Sequence, residues 1–104
     1  MHLVKKIEIF SDSVELGKII SGLEKSGVSS YTVIRNVAGK GVRGGVFDDS
    51  AVTMLDNAYV MAFCSPDIVK AVVETVRPIL NKFGGSCFVS DVMEIRSMNC
   101  VSSL

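Results

Sequence analysis

The sequence has no tryptophan, one histidine, two prolines and three cysteines in 104 residues. With His2 as the only imidazole and no cysteine pair, no zinc site is expected. The same scarcity leaves no Ser-His-Asp or Cys-His set, and no paired carboxylates fall at matched strand ends. The reading is therefore a non-enzyme with no catalytic residues and no metal. Cys64, Cys87 and Cys100 form no C-x-x-C pair and are odd in number, which fits a reducing cytoplasm. Cys64 and Cys87 lie in apolar stretches and read as small buried hydrophobes. Cys100 lies in the tail, with nothing nearby to lower its pKa.

Charge of either sign is not in excess: Lys plus Arg number 11, and so do Asp plus Glu. A neutral chain has no bulk attraction to nucleic acid or to an anionic membrane, and self-association meets little repulsion. No run approaches the ~20 apolar residues of a membrane span, so no membrane insertion is expected. No targeting segment is read at the start, where Lys5 and Lys6 sit inside a short alternating run.

Hydrophobic residues are plentiful, at 48%, against 21% charged. That balance suits one folded domain spanning 1–104. Residues 3–10 alternate Ile7 and Ile9 with Lys6 and Glu8, as a strand does. Asp12 then caps a helix over about 14–26, with Glu15 in capping-box position. Leu16, Ile19, Ile20 and Leu23 share one helix face, and Gly27 is a natural stop. Tyr31 to Val37 is β-branched and reads as a second strand. Ala58 to Cys64 is a nearly all-apolar third. Ser65-Pro66-Asp67 opens a second helix through its cap, proline and acid. That helix carries Ile68, Val69, Val72, Val73, Val76, Ile79, Leu80 and Phe83, and Pro78 is expected to kink or end it. Cys87 to Ile95 is the fourth strand, interrupted by Asp91, which pairs with a cation across the sheet or lies at an interface. The order is βαββαβ, an α+β ferredoxin-like fold: a four-stranded antiparallel sheet with two helices on one face. The other sheet face is left open and apolar, which favours oligomerisation.

One stretch carries chemistry: Gly39-Lys40-Gly41-Val42-Arg43-Gly44-Gly45. Glycines permit close backbone approach and positive φ, and exposed N–H groups in such turns hold anions. Lys40 adds a point charge and Arg43 a planar fork that suits phosphate or carboxylate. The stretch reads either as a phosphate cradle or as an ordinary flexible turn. It matches neither the Walker A spacing nor the dinucleotide fingerprint. Asp48, Asp49 and Asp56 in the following segment read as turn formers and solvated charges.

In order and spacing, these pieces resemble the PII and PII-like signalling proteins. The resemblance covers most of the chain. It rests on Gly27 through Tyr31-Thr32-Val33, on Gly39 through Gly44, on the long segment that follows, and on Gly84-Gly85 before Phe88-Val89-Ser90-Asp91-Val92. It implies a homotrimer of ferredoxin-like subunits that binds an adenine nucleotide in the clefts between them. The ligand would be AMP, ADP, ATP or cyclic AMP. Carried over, Gly39, Lys40, Gly41, Arg43 and Gly44 form the base of the T-loop (about 44–57) and contact phosphate. Gly84, Gly85 and Ser86 match the B-loop, Thr32 lies near the base or ribose, and Lys82 supplies the cation near the B-loop. Arg96 stands for the basic residues after the fourth strand, ahead of a loose tail at about 97–104. Phe47, Val52, Met54 and Leu55 are the apolar contacts by which the T-loop would dock on a target transporter or enzyme.

The T-loop is shorter than in nitrogen-regulating members and lacks their modified tyrosine, and the B-loop is abbreviated. These departures resemble the PII-like branch associated with inorganic carbon uptake, which brings in bicarbonate as a second ligand near Arg43. A Mg-ATP-2-oxoglutarate site is not expected, since Val42 stands near where those members carry glutamine. Two other readings share the element order. An RNA-recognition-type module would stack bases on Phe10, Tyr59 and Phe63, but Asp56-Asn57 replaces its basic start. A ligand-free structural trimer would use the glycine-rich stretch as surface only.

Overall fold

The computed structural model describes residues 2–38 and 57–95. Strand β1 (His2–Asp12) is followed by a 3₁₀ turn (Ser13–Glu15) and helix α1 (Leu16–Lys25). Strands β2 (Tyr31–Val37) and β3 (Asn57–Cys64) come next, then a 3₁₀ turn (Pro66–Ile68), helix α2 (Val69–Phe83) and strand β4 (Ser86–Glu94). The sheet is antiparallel in the order β2-β3-β1-β4. The expected βαββαβ ferredoxin-like fold is therefore the observed one.

Period-2 alternation builds the core. Ile9 faces Val60 and Cys87 across its two neighbours, and Val60 faces Val33. Ile7, Ile9, Ala58, Val60 and Ala62 are buried on that face, under Leu16, Ile19 and Leu23 of α1 and Val72 and Val76 of α2. Fully burying such a side chain is worth about 1.5–3 kcal/mol. The helices meet closely at Gly22, where an added Cβ would stand 2.7 Å from Thr75 Cγ2.

Local signals account for the boundaries. Asp12 caps the turn after β1, its Oδ1 accepting from the Val14 N–H at 3.1 Å. Those first residues are 3₁₀, so α1 begins at Leu16 and not at 14. The helix ends at Gly27, whose φ of +103° suits glycine, and Val28 N–H donates to the Leu23 carbonyl at 3.0 Å. Ser65 holds the cap position before α2 through its carbonyl, which accepts from Ile68 N–H at 3.1 Å, and its side chain makes no cap bond.

Of the two outcomes expected at Pro78, a kink or an end, the end is not seen: α2 continues through it to Phe83. Pro78 lies on the exposed side, so the carbonyl of Glu74 that loses its N–H donor is left within reach of water. Asp91 pairs with Lys5 on the neighbouring strand, the first of the two roles read for it. Cys64 is buried and Cys87 half-buried, both as free thiols, and burial pushes both thiols above their ordinary pKa. Cys100 lies outside the described residues.

Candidate functional site

The turn between α2 and β4 is the best-defined part of the site. Gly84 caps the helix, its N–H donating to the Leu80 carbonyl at 2.8 Å with φ at +86°. Gly85 follows at φ +130°. A Cβ on Gly85 would lie 2.5 Å from the Phe10 carbonyl oxygen and 2.8 Å from Leu80 Cδ2. No L side chain fits there, so two left-handed residues bring the backbone hard against β1 and release Ser86 into pairing with Phe10. Gly84, Gly85 and Ser86 thus form one continuous surface at the start of β4.

That surface opens onto a groove of 310 Å³ between α2 and β4. Arg77 and Asn81 of α2 line one side, Gly85 and Ser86 the other, and Leu80, Val76 and Cys87 contribute apolar wall. The groove's lining is about as polar as it is apolar. Lys82 is exposed beside the turn, and its Nζ lies 5.2 Å from the Phe83 ring centroid.

Thr32 sits elsewhere. It is exposed on β2, on the sheet face away from the helices, in a cross-sheet row with Met61, Glu8 and Phe88. Ser86 ends the next row, with Phe10, Tyr59 and Ile34. β2 and β4 are the two sheet edges, separated by three spacings of ~4.8 Å. Within one chain, Thr32 and the Gly84–Ser86 turn are therefore not brought together.

Between those edges the open face is apolar and aromatic. Phe10 packs on Tyr59 with ring centroids 5.0 Å apart and on Phe88 at 6.4 Å. Ile34, Phe63 and Phe88 remain exposed. A polar cluster also lies on this face: Tyr59 Oη donates to Glu8 Oε2 at 2.6 Å, with Lys6 Nζ 3.8 Å from the same oxygen. The hydrogen bond to Glu8, with burial and the nearby negative charge, pushes the Tyr59 pKa up to about 12.

The chain leaves β2 at Val37 and returns at Asn57, which pair with each other at the Asp12 end of β1. The Gly84–Ser86 turn lies at that same end, beside Phe10. A bulge between Arg35 and Val37, with Asn36 at φ +61°, turns β2 where it leaves the sheet. Asparagine tolerates this conformation better than β-branched residues, which is the signal in the sequence for it. Gly39, Lys40, Gly41, Arg43 and Gly44, the docking residues Phe47, Val52, Met54 and Leu55, and Arg96 lie outside the described residues. So do Asp48, Asp49 and Asp56. Arg77 and Asn81 went unnoticed in the sequence; their spacing of four on a helix ending at the paired glycines was the available signal.

A split βαβ sheet with the Gly84–Gly85 turn and the ends of β2 and β3 at one end of β1 is a ferredoxin-like domain. The chain belongs to the P-II family: the model for nitrogen regulatory protein P-II matches residues 4–99. No curated protein sequence is similar enough to match it. Among solved structures, CPII, a nitrogen regulatory PII-like protein from Thiomonas intermedia K12 bound to ADP, AMP and bicarbonate, superposes with a TM-score of 0.79. The two are 24% identical over 93% of this chain and 98% of that one. A PII-like signalling protein from Thermus thermophilus gives a TM-score of 0.68 at 15% identity, covering 92% and 95% of the two chains. GlnK from B. subtilis, in complex with ATP, gives 0.65 at 23%, covering 86% and 82%. At these identities the superpositions speak to the fold. PII-family proteins are signalling regulators rather than enzymes. Among the described residues, no helix is long and apolar enough to cross a membrane.

Proposed function

We propose that this chain is a cytoplasmic PII-like regulator whose homotrimer binds an adenine nucleotide between subunits. The observation that carries it is the placement of Thr32 and the Gly84–Ser86 turn on opposite sheet edges, with an exposed aromatic face between them. A ligand touching both needs two copies, and closed cyclic symmetry supplies that contact at every interface. The backbone N–H groups of the turn would meet the phosphates, and Thr32 of the adjoining copy the base or ribose.

The nucleotide would bias the segment that joins Val37 to Asn57, because its roots lie at the same end of β1 as the turn. A ligand shifts such a segment only by its differential affinity for the two states. Lys40 and Arg43 would add charge from that side, and Phe47, Val52, Met54 and Leu55 would contact the target transporter or enzyme. The binding of bicarbonate alongside adenine nucleotides by the Thiomonas protein supports a role in inorganic carbon uptake here. The RNA-recognition alternative loses its support: Phe10 and Tyr59 pack against one another with their rings tilted by 51°, and the family match lies elsewhere.

The test is isothermal titration of the full chain with AMP, ADP, ATP and cyclic AMP, with and without bicarbonate, alongside light scattering for mass. Saturable binding of at least one nucleotide by a trimer is expected. A trimer that binds none of them contradicts the nucleotide reading.

A further inference from the structure

We propose that Arg77 of α2, and not Lys82, is the cation of the Gly84–Ser86 half-site. The inference rests on the nucleotide reading above and names a residue that reading lacks. A site for a polyanion needs positive charge beside its backbone donors, and Ser86 at the start of β4 carries none.

Three observations select Arg77. It lines the same groove as Gly85 and Ser86, with Leu80 and Cys87 also in the wall. Among the described residues it enters no ion pair, so its fork is available to an anion. Asn81, one turn further on, lines the groove with it and adds amide donors on the same side.

Lys82 is turned elsewhere. At 3.6 residues per turn it lies about 140° around α2 from Arg77. Its ammonium lies 5.2 Å from the Phe83 ring centroid, and Lys18 of α1 approaches the same ring at 4.3 Å. That places Lys82 with the α1 side of the helix, away from the groove between α2 and β4. Leu80, Val76 and Cys87 give the groove apolar wall beside Arg77, which is itself exposed to an incoming anion. A guanidinium also presents paired donors that match two phosphate oxygens, which an ammonium does not.

The experiment titrates AMP, ADP and ATP into the full-length wild type and into Arg77→Gln, Arg77→Lys and Lys82→Gln, with thermal melting of each. Arg77→Gln is expected to bind ADP about tenfold more weakly, as fits loss of one charge-assisted contact. The loss should grow from AMP to ATP, while the melting temperature holds. Arg77→Lys should recover part of the affinity, and Lys82→Gln should stay within about twofold of wild type. If wild type binds ADP and Arg77→Gln binds it equally well, this inference fails while the nucleotide reading stands. A loss confined to Lys82→Gln overturns it in the same way. A wild type that binds no nucleotide overturns both together.

Discussion

The backbone of Gly85 rests directly against the carbonyl of Phe10: a Cβ there would sit 2.5 Å from that oxygen. This one contact fixes where β4 starts, how Ser86 comes to pair with Phe10, and where the groove beside α2 opens. It ties the turn to the aromatic face, because the ring of Phe10 packs on Tyr59 and Phe88.

Replacing Gly85 with Ala forces both a steric conflict and a left-handed alanine. The obstacle is backbone, which cannot swing aside. The expected loss is at least about 1–3 kcal/mol, the usual size of such strain. Urea unfolding of the two proteins measures it, and an unchanged midpoint would refute the contact.

At Gly22 the obstacle is of a different kind: an added Cβ would stand 2.7 Å from the methyl of Thr75. Thr75 is stiff at χ1, and its hydroxyl donates to the Ala71 carbonyl at 2.8 Å, so it does not rotate away freely. Gly22→Ala alone should therefore fail to yield the ~1 kcal/mol that alanine brings to a helix. Removing the methyl with Thr75→Ser should restore that gain in the double variant. A double-mutant cycle with no coupling would contradict the packing described.

Tyr59 should titrate well above an ordinary tyrosine, at about 12. Its phenol keeps its proton longer folded than unfolded. The stability this contributes is complete below the unfolded value of about 10 and is lost as pH rises through the folded value. Stability should thus fall across that alkaline window, and Tyr59→Phe should flatten the fall. Ultraviolet titration of phenolate, with unfolding at several alkaline pH values, checks both. Tyr31 is shifted in the same direction by Glu24, so the comparison between variants is the informative one.

The Lys5–Asp91 pair joins β1 to β4, with side chains 27% and 61% exposed. A pair so open to solvent contributes little. Asp91→Asn should cost less than about 1 kcal/mol, and less still in high salt. A larger loss in a denaturant titration would mean that Asp91 is buried against another copy.

The fold was legible because its signals are short-range. Alternation in β1 and the Leu16, Ile19, Leu23 spacing of α1 give faces, and Gly27 gives a stop. Where the structure departs from expectation, pairing or solvent exposure decided the matter. β1 runs on to Asp12 because Ser11 and Asp12 still find partners in Ala58 and Asn57. α2 passes Pro78 because the affected face is wet. The site was only partly legible. Gly84 and Gly85 announce a turn, and their positive φ follows from that. The separation of Thr32 from that turn depends on strand order, which adjacent residues do not encode. Arg77 belongs to the groove only through the way α2 lies over β4, a tertiary fact with no local signature.

The central claim is that one ligand is held by Thr32 of one copy and by the Gly84–Ser86 turn of another. Thr32→Asp and Ser86→Asp each place a negative charge in one half, at exposed or half-exposed strand positions. Each variant trimer alone should fail to bind ADP. Trimers assembled from both chains together should regain binding at a fraction of their sites, wherever two intact halves meet. Restored binding in the mixed trimers is the predicted result. Mixed trimers that bind no ADP, while wild-type trimers do, would place the whole site within one chain and contradict the account.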